Sequence, residues 1–152
     1  MSLSQKISAC SSIYSDKLKI LRDPKALSKS VYRIENNQRK DFKVIPIDSC
    51  VFDSRIDKCD FGVEVENTIH FIELKGKDNN KGLRQLHTTL TTTHDIFRSH
   101  VRKVRLIVSE AEAPRNLDQT TILKISRIVN DSLNSNKGHF IKINNSFTEI
   151  IN

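Results

Sequence analysis

Two carboxylates and a lysine lie close together in the stretch KCDFGVEVENTIHFIELKGKD, residues 58–78. Apolar and polar residues alternate on both sides of the central EN pair, which predicts a β-hairpin with a two-residue loop. In that register Asp60 lies directly opposite Glu73, and opposed residues share a sheet face with Cβ atoms about 4.5–5.5 Å apart. Side chains alternate along a strand, so Lys75 faces the same way. The sequence therefore predicts a cluster of Asp60, Glu73 and Lys75.

Two carboxylates this close repel each other, and burying them without compensation is costly. One carboxyl could keep a proton, Lys75 could pair with both, or a divalent cation could bind between them. Mg²⁺ prefers oxygen ligands, usually one or two carboxylates with waters and substrate phosphates. The main-chain carbonyl of Leu74 would add a further ligand, and Lys75 could orient a water or stabilise charge on a phosphate. These residues suit metal-assisted hydrolysis of a phosphodiester.

The rest of the chain predicts the elements that position this cluster. Helical spacing of apolar residues indicates helices over 4–21, from 82 to about 99, and over 118–134. Strands are predicted on both sides of Asn36-Asn37, in the hairpin, over 104–109, and finally in HFIKI (139–143). Helices must cover the sheet to bury their apolar sides, and a strand after a long helix can pair in parallel. We expect one three-layer α/β/α domain with a mixed central sheet over residues 1–152.

An aspartate on one strand and E-x-K on its neighbour, followed by Gly76, resemble the signature of the PD-(D/E)XK nuclease superfamily, which has the restriction-endonuclease-like fold. Asp60 matches the first acid, Glu73 the second and Lys75 the lysine. The predicted order of elements also resembles that of the family. The resemblance implies that the two acids bind Mg²⁺ or Mn²⁺ and that Lys75 assists the attacking water.

The same resemblance extends to the helix after the hairpin, where GLRQL offers Gln85 as a catalytic residue and Arg84 as a phosphate contact. Many members carry a glutamate in the first helix, where this chain offers Asp16; Glu35 lies beyond the predicted end of that helix. DNA is the substrate expected from the prevalence of that activity in the family. Cutting both strands with one metal centre per chain would favour a symmetric homodimer.

The charge distribution favours a polyanionic partner. The net charge is +7, and an acidic middle segment (48–78) lies between two basic flanks. Basic flanks suit nucleic acid, because each neutralised phosphate releases counterions. In RSHVRKVR (98–105) we expect Arg98, Arg102 and Lys103 to contact the nucleic-acid backbone, although a solvated helix end would have the same composition.

The remaining features predict a cytoplasmic protein without a membrane partner. No run approaches the roughly 18 apolar residues of a membrane span, and the N-terminus is too polar for a secretory signal. Cys10, Cys50 and Cys59 are odd in number and form no C-x-x-C pair, so we expect all three to be reduced.

Other functions fit the same sequence. The cluster could be an exposed hairpin end with a cross-strand salt bridge, worth roughly 0–1 kcal/mol. A catalytically inert nucleic-acid-binding module of the same fold would not need to bind Mn²⁺ at Asp60 and Glu73. A protein-interaction module with a basic surface would show no salt-dependent affinity for DNA.

Overall fold

The computed structural model describes residues 1–25, 27–52, 55 and 57–152. Its α-helices are α1 (Leu3–Cys10), α2 (Asn79–Thr92), α3 (His94–Phe97) and α4 (Gln119–Val129). A π-helical turn spans Ile47–Val51 and a 3-10 turn spans Pro114–Asn116. The strands are β1 (Ser12–Tyr14), β2 (Leu18–Arg22), β3 (Val31–Glu35), β4 (Phe42–Pro46), β5 (Phe61–Val65), β6 (Thr68–Lys75), β7 (Val101–Val108), β8 (Phe140–Asn144) and β9 (Ser146–Ile150).

The described strands form two sheets. The larger sheet has the order β1-β4-β5-β6-β7-β8; β1, β4, β5 and β6 pair antiparallel, whereas β7 and β8 continue it in parallel. The smaller sheet has the order β2-β3-β9, and β3 pairs in parallel with β9. The predicted α/β class with a mixed sheet is confirmed, as is parallel pairing of the strand that follows the long helix.

Each face of the large sheet has its own apolar core. On one face, Leu83 and Leu86 of α2 and Ile125 of α4 belong to the same buried cluster as Phe71 and Leu106 of the sheet. On the other face, the small sheet is joined to the large one by a second cluster that includes Tyr32, Ile34, Ile72 and Ile107. The layers are therefore helices, large sheet and small sheet, which differs from the predicted α/β/α order because strands and not helices cover the second face.

The predicted helix over 4–21 is wrong beyond its first half. A capping box of Ser2 and Gln5 starts α1, and the helix ends at Cys10, where Ser11 becomes extended and donates its hydroxyl to the Ile7 carbonyl. The chain then forms β1 and β2. Tyr14 stacks on Phe42 of β4 with ring centroids 6.0 Å apart. Tertiary pairing has overridden an apolar spacing that fits a helix as well.

Three other boundaries differ from those predicted. The long helix ends at Thr92, and α3 follows it as a separate helix. The helix predicted over 118–134 ends at Val129, because Asn130 adopts a left-handed conformation (φ +55°). HFIKI does form a strand, β8, but it is not the last one: Asn145 (φ +67°) turns the chain into β9.

The expectation of reduced cysteines is wrong for two of the three. Cys10 and Cys50 form a disulfide, which ties the end of α1 to the π-helical turn across 40 residues of sequence. That pairing depends on the packing of α1 against the turn, which Cys spacing does not reveal. Cys59 is free and buried, as predicted.

In the described part of the chain, no helix combines the length and the apolar character needed to cross a membrane.

Candidate active site at the end of the central hairpin

The hairpin has the predicted register. Val65 pairs with Thr68 across the two-residue loop, and the ladder continues to the pair of Phe61 and Ile72. The incoming strand starts at Phe61, so Asp60 lies one residue beyond the ladder, in line with Glu73. The structure therefore places Asp60 and Glu73 side by side at the open end of the hairpin.

Direct contacts connect the three predicted residues. The Asp60 main-chain N–H donates to Glu73 Oε1 at 3.1 Å, and the Leu74 N–H donates to Asp60 Oδ2 at 2.9 Å. Lys75 Nζ lies 2.9 Å from Glu73 Oε2. Because the N–H and C=O of one residue point to the same side of a strand, the Leu74 carbonyl is directed toward Asp60 as well. The sequence prediction of a cluster is confirmed.

Burial distinguishes this cluster from an exposed salt bridge. The Glu73 side chain is 1% exposed and that of Lys75 is 19% exposed. Glu73 lies on the helical face of the sheet, under the first turns of α2. A Cβ atom on Gly82 would lie 3.5 Å from Glu73 Cγ and only 2.7 Å from Leu106 Cδ1. The glycine thus allows α2 to pack closely over the carboxylate.

Gln85 of α2 extends the cluster. Its Nε2 donates to the Lys58 carbonyl at 3.3 Å, while its Oε1 is buried and has no hydrogen-bond partner among the described residues. The residue is only 7% exposed. An unpaired buried acceptor costs about 1–3 kcal/mol. This oxygen is available to a bound water or other ligand that donates a hydrogen bond.

These residues surround a cavity of about 130 Å³. That volume could hold several waters, since one water occupies about 30 Å³ of liquid. The cavity is lined by Asp23, Lys25, Leu27, Asp48, Asp57, Asp60, Glu73, Leu74, Lys75, Gly76, Lys81 and Gln85. A larger space of about 470 Å³ shares Lys25, Asp48, Asp57 and Asp60 with it. A small ligand could therefore reach the buried pair from this side.

Both carboxyl groups have perturbed pKa values. Burial, and next the charge of Asp60, raise the pKa of Glu73 to about 8, although Lys75 opposes the shift. Burial raises the pKa of Asp60 to about 6, against the hydrogen bond from Leu74. Near pH 7 the pair therefore retains a proton, which is one of the three arrangements expected from the sequence. Lys75 in addition contacts Glu73.

The donor set fits a hard divalent cation that keeps several waters. Two carboxylates and the Leu74 carbonyl supply oxygen atoms, and ionised carboxylates have about four lone-pair positions each, so the existing hydrogen bonds leave acceptor capacity. Among the described residues, no group of three or more His, Cys, Asp or Glu side chains is arranged to bind a metal ion.

Sequence reasoning missed the acids and lysines that reach this cavity from other segments. Asp23 follows β2, Asp48 lies in the π-helical turn, and Lys81 lies in the first turn of α2. The acidic composition of residues 48–78 was the available signal for Asp48. Neither Asp16 nor Glu35, the acids considered for the first helix, lines the cavity.

The predicted phosphate contacts are divided between two places. Arg84 is exposed on α2, one residue before Gln85. Arg98, Arg102 and Lys103 lie near the start of β7, which pairs with the start of β6, whereas the candidate site lies at the end of β6. Seven residues of strand separate the two ends by about 20 Å. The structure does not bring those three residues to the site, and their contact with nucleic acid stays a prediction.

Comparison of the chain with models of protein families, with curated proteins and with solved structures gave no match.

Proposed function

We propose that this protein is a metal-dependent nuclease that hydrolyses phosphodiester bonds, with DNA as its substrate, and that its domain is of the PD-(D/E)XK, restriction-endonuclease-like type. The observation that carries the proposal is the pair of buried Glu73 and half-buried Asp60, in contact with Lys75 and lining one cavity with Gln85, whose Oε1 has no partner among the described residues. Strongly perturbed carboxyl groups in a cavity are typical of functional sites.

Each residue has a role that its position supports. Asp60, Glu73 and the Leu74 carbonyl would hold Mg²⁺ or Mn²⁺. When bound, such an ion polarises a phosphoryl oxygen and lowers the pKa of a water. Lys75 keeps its ammonium group at the cavity, where it would orient the attacking water or stabilise negative charge on the phosphate. Gln85 Oε1 would accept a hydrogen bond from a water and so restrict its orientation.

Basic residues at the cavity would help to hold a phosphate-containing substrate once a bound cation offsets the five carboxylates that line the cavity with them. Lys25 and Lys81 line the cavity and Arg84 is exposed on the same helix as Lys81. These cations would neutralise backbone phosphates and make the affinity for DNA fall with salt. Arg98, Arg102 and Lys103 would contact only a substrate long enough to reach the other end of the sheet. Symmetric cutting of a duplex would favour a homodimer. A cytoplasmic location stays a proposal, and the Cys10–Cys50 disulfide counts against it, because such bonds are rare in reducing compartments.

Cleavage with Mn²⁺ tests the proposal. Supercoiled plasmid and single-stranded DNA are incubated with wild type, Lys75→Ala and Lys6→Ala, with EDTA as a further control. Lys6 is exposed on α1, so its variant matches the charge change away from the cavity. We expect nicking by wild type and Lys6→Ala, and a loss of at least 100-fold in Lys75→Ala, the scale of a positioned acid–base group. Equal activity in all three proteins would contradict the assignment.

A catalytically inert module remains the second candidate, because both carboxylates already have internal partners. If wild type neither cleaves DNA nor binds Mn²⁺, this candidate replaces the nuclease. Salt-dependent DNA affinity would then indicate a nucleic-acid-binding module, and its absence a protein-interaction module. If wild type binds Mn²⁺ but cleaves neither DNA, the metal site is supported, and RNA and branched DNA are the substrates to test next.

A further inference from the structure

Asp23, which follows a strand of the small sheet, adds a further carboxylate to the cavity of the candidate metal site. Asp23 directly follows β2 and lines the same cavity as Asp60, Glu73 and Gln85. It reaches the site only because β2 pairs with β3 in the second sheet. The position of Asp23 at the cavity therefore depends on strand pairing in the small sheet and not on the hairpin.

The contacts of Asp23 leave part of its carboxylate available. Asp23 Oδ1 accepts a hydrogen bond from the main-chain N–H of Lys25 at 3.0 Å, and this bond fixes the turn after β2. Its other oxygen accepts no hydrogen bond from the described part of the chain. Asp48, in contrast, lies 3.7 Å from Lys25 Nζ, and so its charge is partly compensated. Asp57 lines the cavity but is exposed.

The cavity also contains an independent sign that a ligand belongs there. Gln85 lines the same space and is only 7% exposed, and its Oε1 is buried without a hydrogen-bond partner among the described residues. A water in that space would need two to four polar partners. Gln85 Oε1 and the available Asp23 oxygen are both acceptors, which suits a water held by a cation through its own oxygen.

We propose that Asp23 binds a water of the metal's hydration shell and thereby positions the cation at Asp60 and Glu73 without contacting it directly. This inference rests on the proposed function. It agrees with the absence of a three-carboxylate metal group among the described residues, since Mg²⁺ and Mn²⁺ sites commonly retain waters. Asp23 also acts electrostatically on Asp60. Burial raises the pKa of Asp60, and the negative charge of Asp23 raises it further.

Calorimetric titration with Mn²⁺ tests the role of Asp23 without any need for activity. Asp23→Asn is the informative variant, because asparagine keeps the volume and an oxygen that can accept the Lys25 N–H. Loss of an outer partner of a metal site typically lowers metal affinity 10- to 100-fold. We expect a loss of about 10-fold in Asp23→Asn, and thermal unfolding in EDTA within a few degrees of wild type.

The matched control is Asp57→Asn, which removes the same charge from an exposed position on the same cavity. We expect this variant to change Mn²⁺ affinity by less than about 3-fold, because an exposed charge is screened. Equal losses in the two variants would show a general field effect and overturn the role of Asp23, as would unchanged affinity in Asp23→Asn.

The failure of this inference differs from the failure of the proposed function. If wild type binds Mn²⁺, Glu73→Gln does not, and Asp23→Asn binds as tightly as wild type, the metal site is supported and the role of Asp23 is rejected. Wild type that does not bind Mn²⁺ at all rejects both.

Discussion

Glu73 and Glu149 are both largely buried glutamates, but their electrostatic settings are opposite. Glu73 is in the large sheet and faces the helices, whereas Glu149 is in the small sheet that covers the other face. Glu149 of β9 accepts hydrogen bonds from Arg105 Nε at 2.8 Å and from Arg105 Nη2 at 3.2 Å. It also accepts one from the Tyr32 hydroxyl at 2.8 Å. Its side chain is 12% exposed. Glu73 is more deeply buried, and its nearest charged neighbours are one lysine and a second carboxylate.

The two pKa shifts have opposite signs. Burial by itself would raise the pKa of Glu149, yet the charges of His70 and Arg105 and the hydrogen bonds from Arg105 and Tyr32 outweigh it and lower the pKa. His70 is neutral near pH 7, because burial lowers its pKa to about 4, so Arg105 supplies the compensating charge. The pKa of Glu73 is instead raised to about 8.

This difference shows which buried carboxylate is structural. Glu149 is ionised, fully paired, and joins the two sheets through Tyr32 and Arg105. Glu73 retains a proton and lies beside a second acid and an unpaired oxygen, so its environment would be completed by a cation. Buried ion pairs also perturb pKa values. Glu149 borders a cavity as well, of about 180 Å³, so Glu73 is distinguished by the second carboxylate beside it and by the Gln85 oxygen that lacks a partner among the described residues.

The largest expected effect comes from removing the charge of Glu149. Glu149→Gln leaves Arg105 buried without its anion, and we expect the free energy of unfolding to fall by about 3–5 kcal/mol. Glu73→Gln, which resembles the protonated side chain, should not lower it in metal-free protein at pH 7, because wild type must take up a proton on folding at that pH and glutamine need not. Urea unfolding in EDTA measures both, and equal losses would remove the distinction between the two glutamates.

The disulfide supports the side of the molecule that carries the candidate site, since Cys50 lies two residues from Asp48. Closing a loop of this length stabilises a protein by about 2–4 kcal/mol. We expect Cys10→Ser/Cys50→Ser to lose that amount, and wild type treated with a reductant to match it. A double variant as stable as oxidised wild type would contradict the expected contribution of the cross-link.

The pH dependence of stability should reveal the proton on Glu73. An acid with a raised pKa binds a proton more tightly in the folded state, so its contribution is greatest at low pH and is lost as pH rises through about 8. Relative to Glu73→Gln, metal-free wild type should lose on the order of 4 kcal/mol between pH 5 and pH 9. Parallel stability curves for the two proteins would show that Glu73 is ionised throughout.

The smallest expected effect on stability concerns Gln85. Gln85→Met removes an unpaired buried oxygen but also the hydrogen bond to the Lys58 carbonyl, and these changes should nearly cancel, to within about 1 kcal/mol. Cleavage with Mn²⁺ should nevertheless decrease, since the side chain can no longer accept from a water. Unchanged cleavage in a stable Gln85→Met protein would exclude Gln85 from the site.

The hairpin could be predicted from the sequence because its signals are local. Alternating residues and a two-residue loop fix the register, and that register places Asp60 beside Glu73. The pattern after Cys10 is less informative. The spacing of the apolar residues at 14, 18 and 21 fits a helix, but these residues lie in two strands.

Residues that depend on distant packing could not be found in this way. Asp23 reaches the cavity through the second sheet, and Asp48 through a turn that a disulfide ties to α1. Both contacts join segments far apart in sequence. The same limit applies to Arg98, Arg102 and Lys103: nothing in a single strand indicates which of its ends lies beside the candidate site, so their distance from it could not be predicted.

Calorimetric titration of the metal-free protein with Mn²⁺ at pH 7, in two buffers of different ionisation enthalpy, shows whether the Asp60–Glu73 pair binds a cation. We expect wild type to bind Mn²⁺ and to release about one proton, because the cation displaces the proton held by this pair. Glu73→Gln should neither bind Mn²⁺ appreciably nor release a proton. Absence of binding by wild type, or unchanged binding in Glu73→Gln, would contradict a metal site at the end of this hairpin.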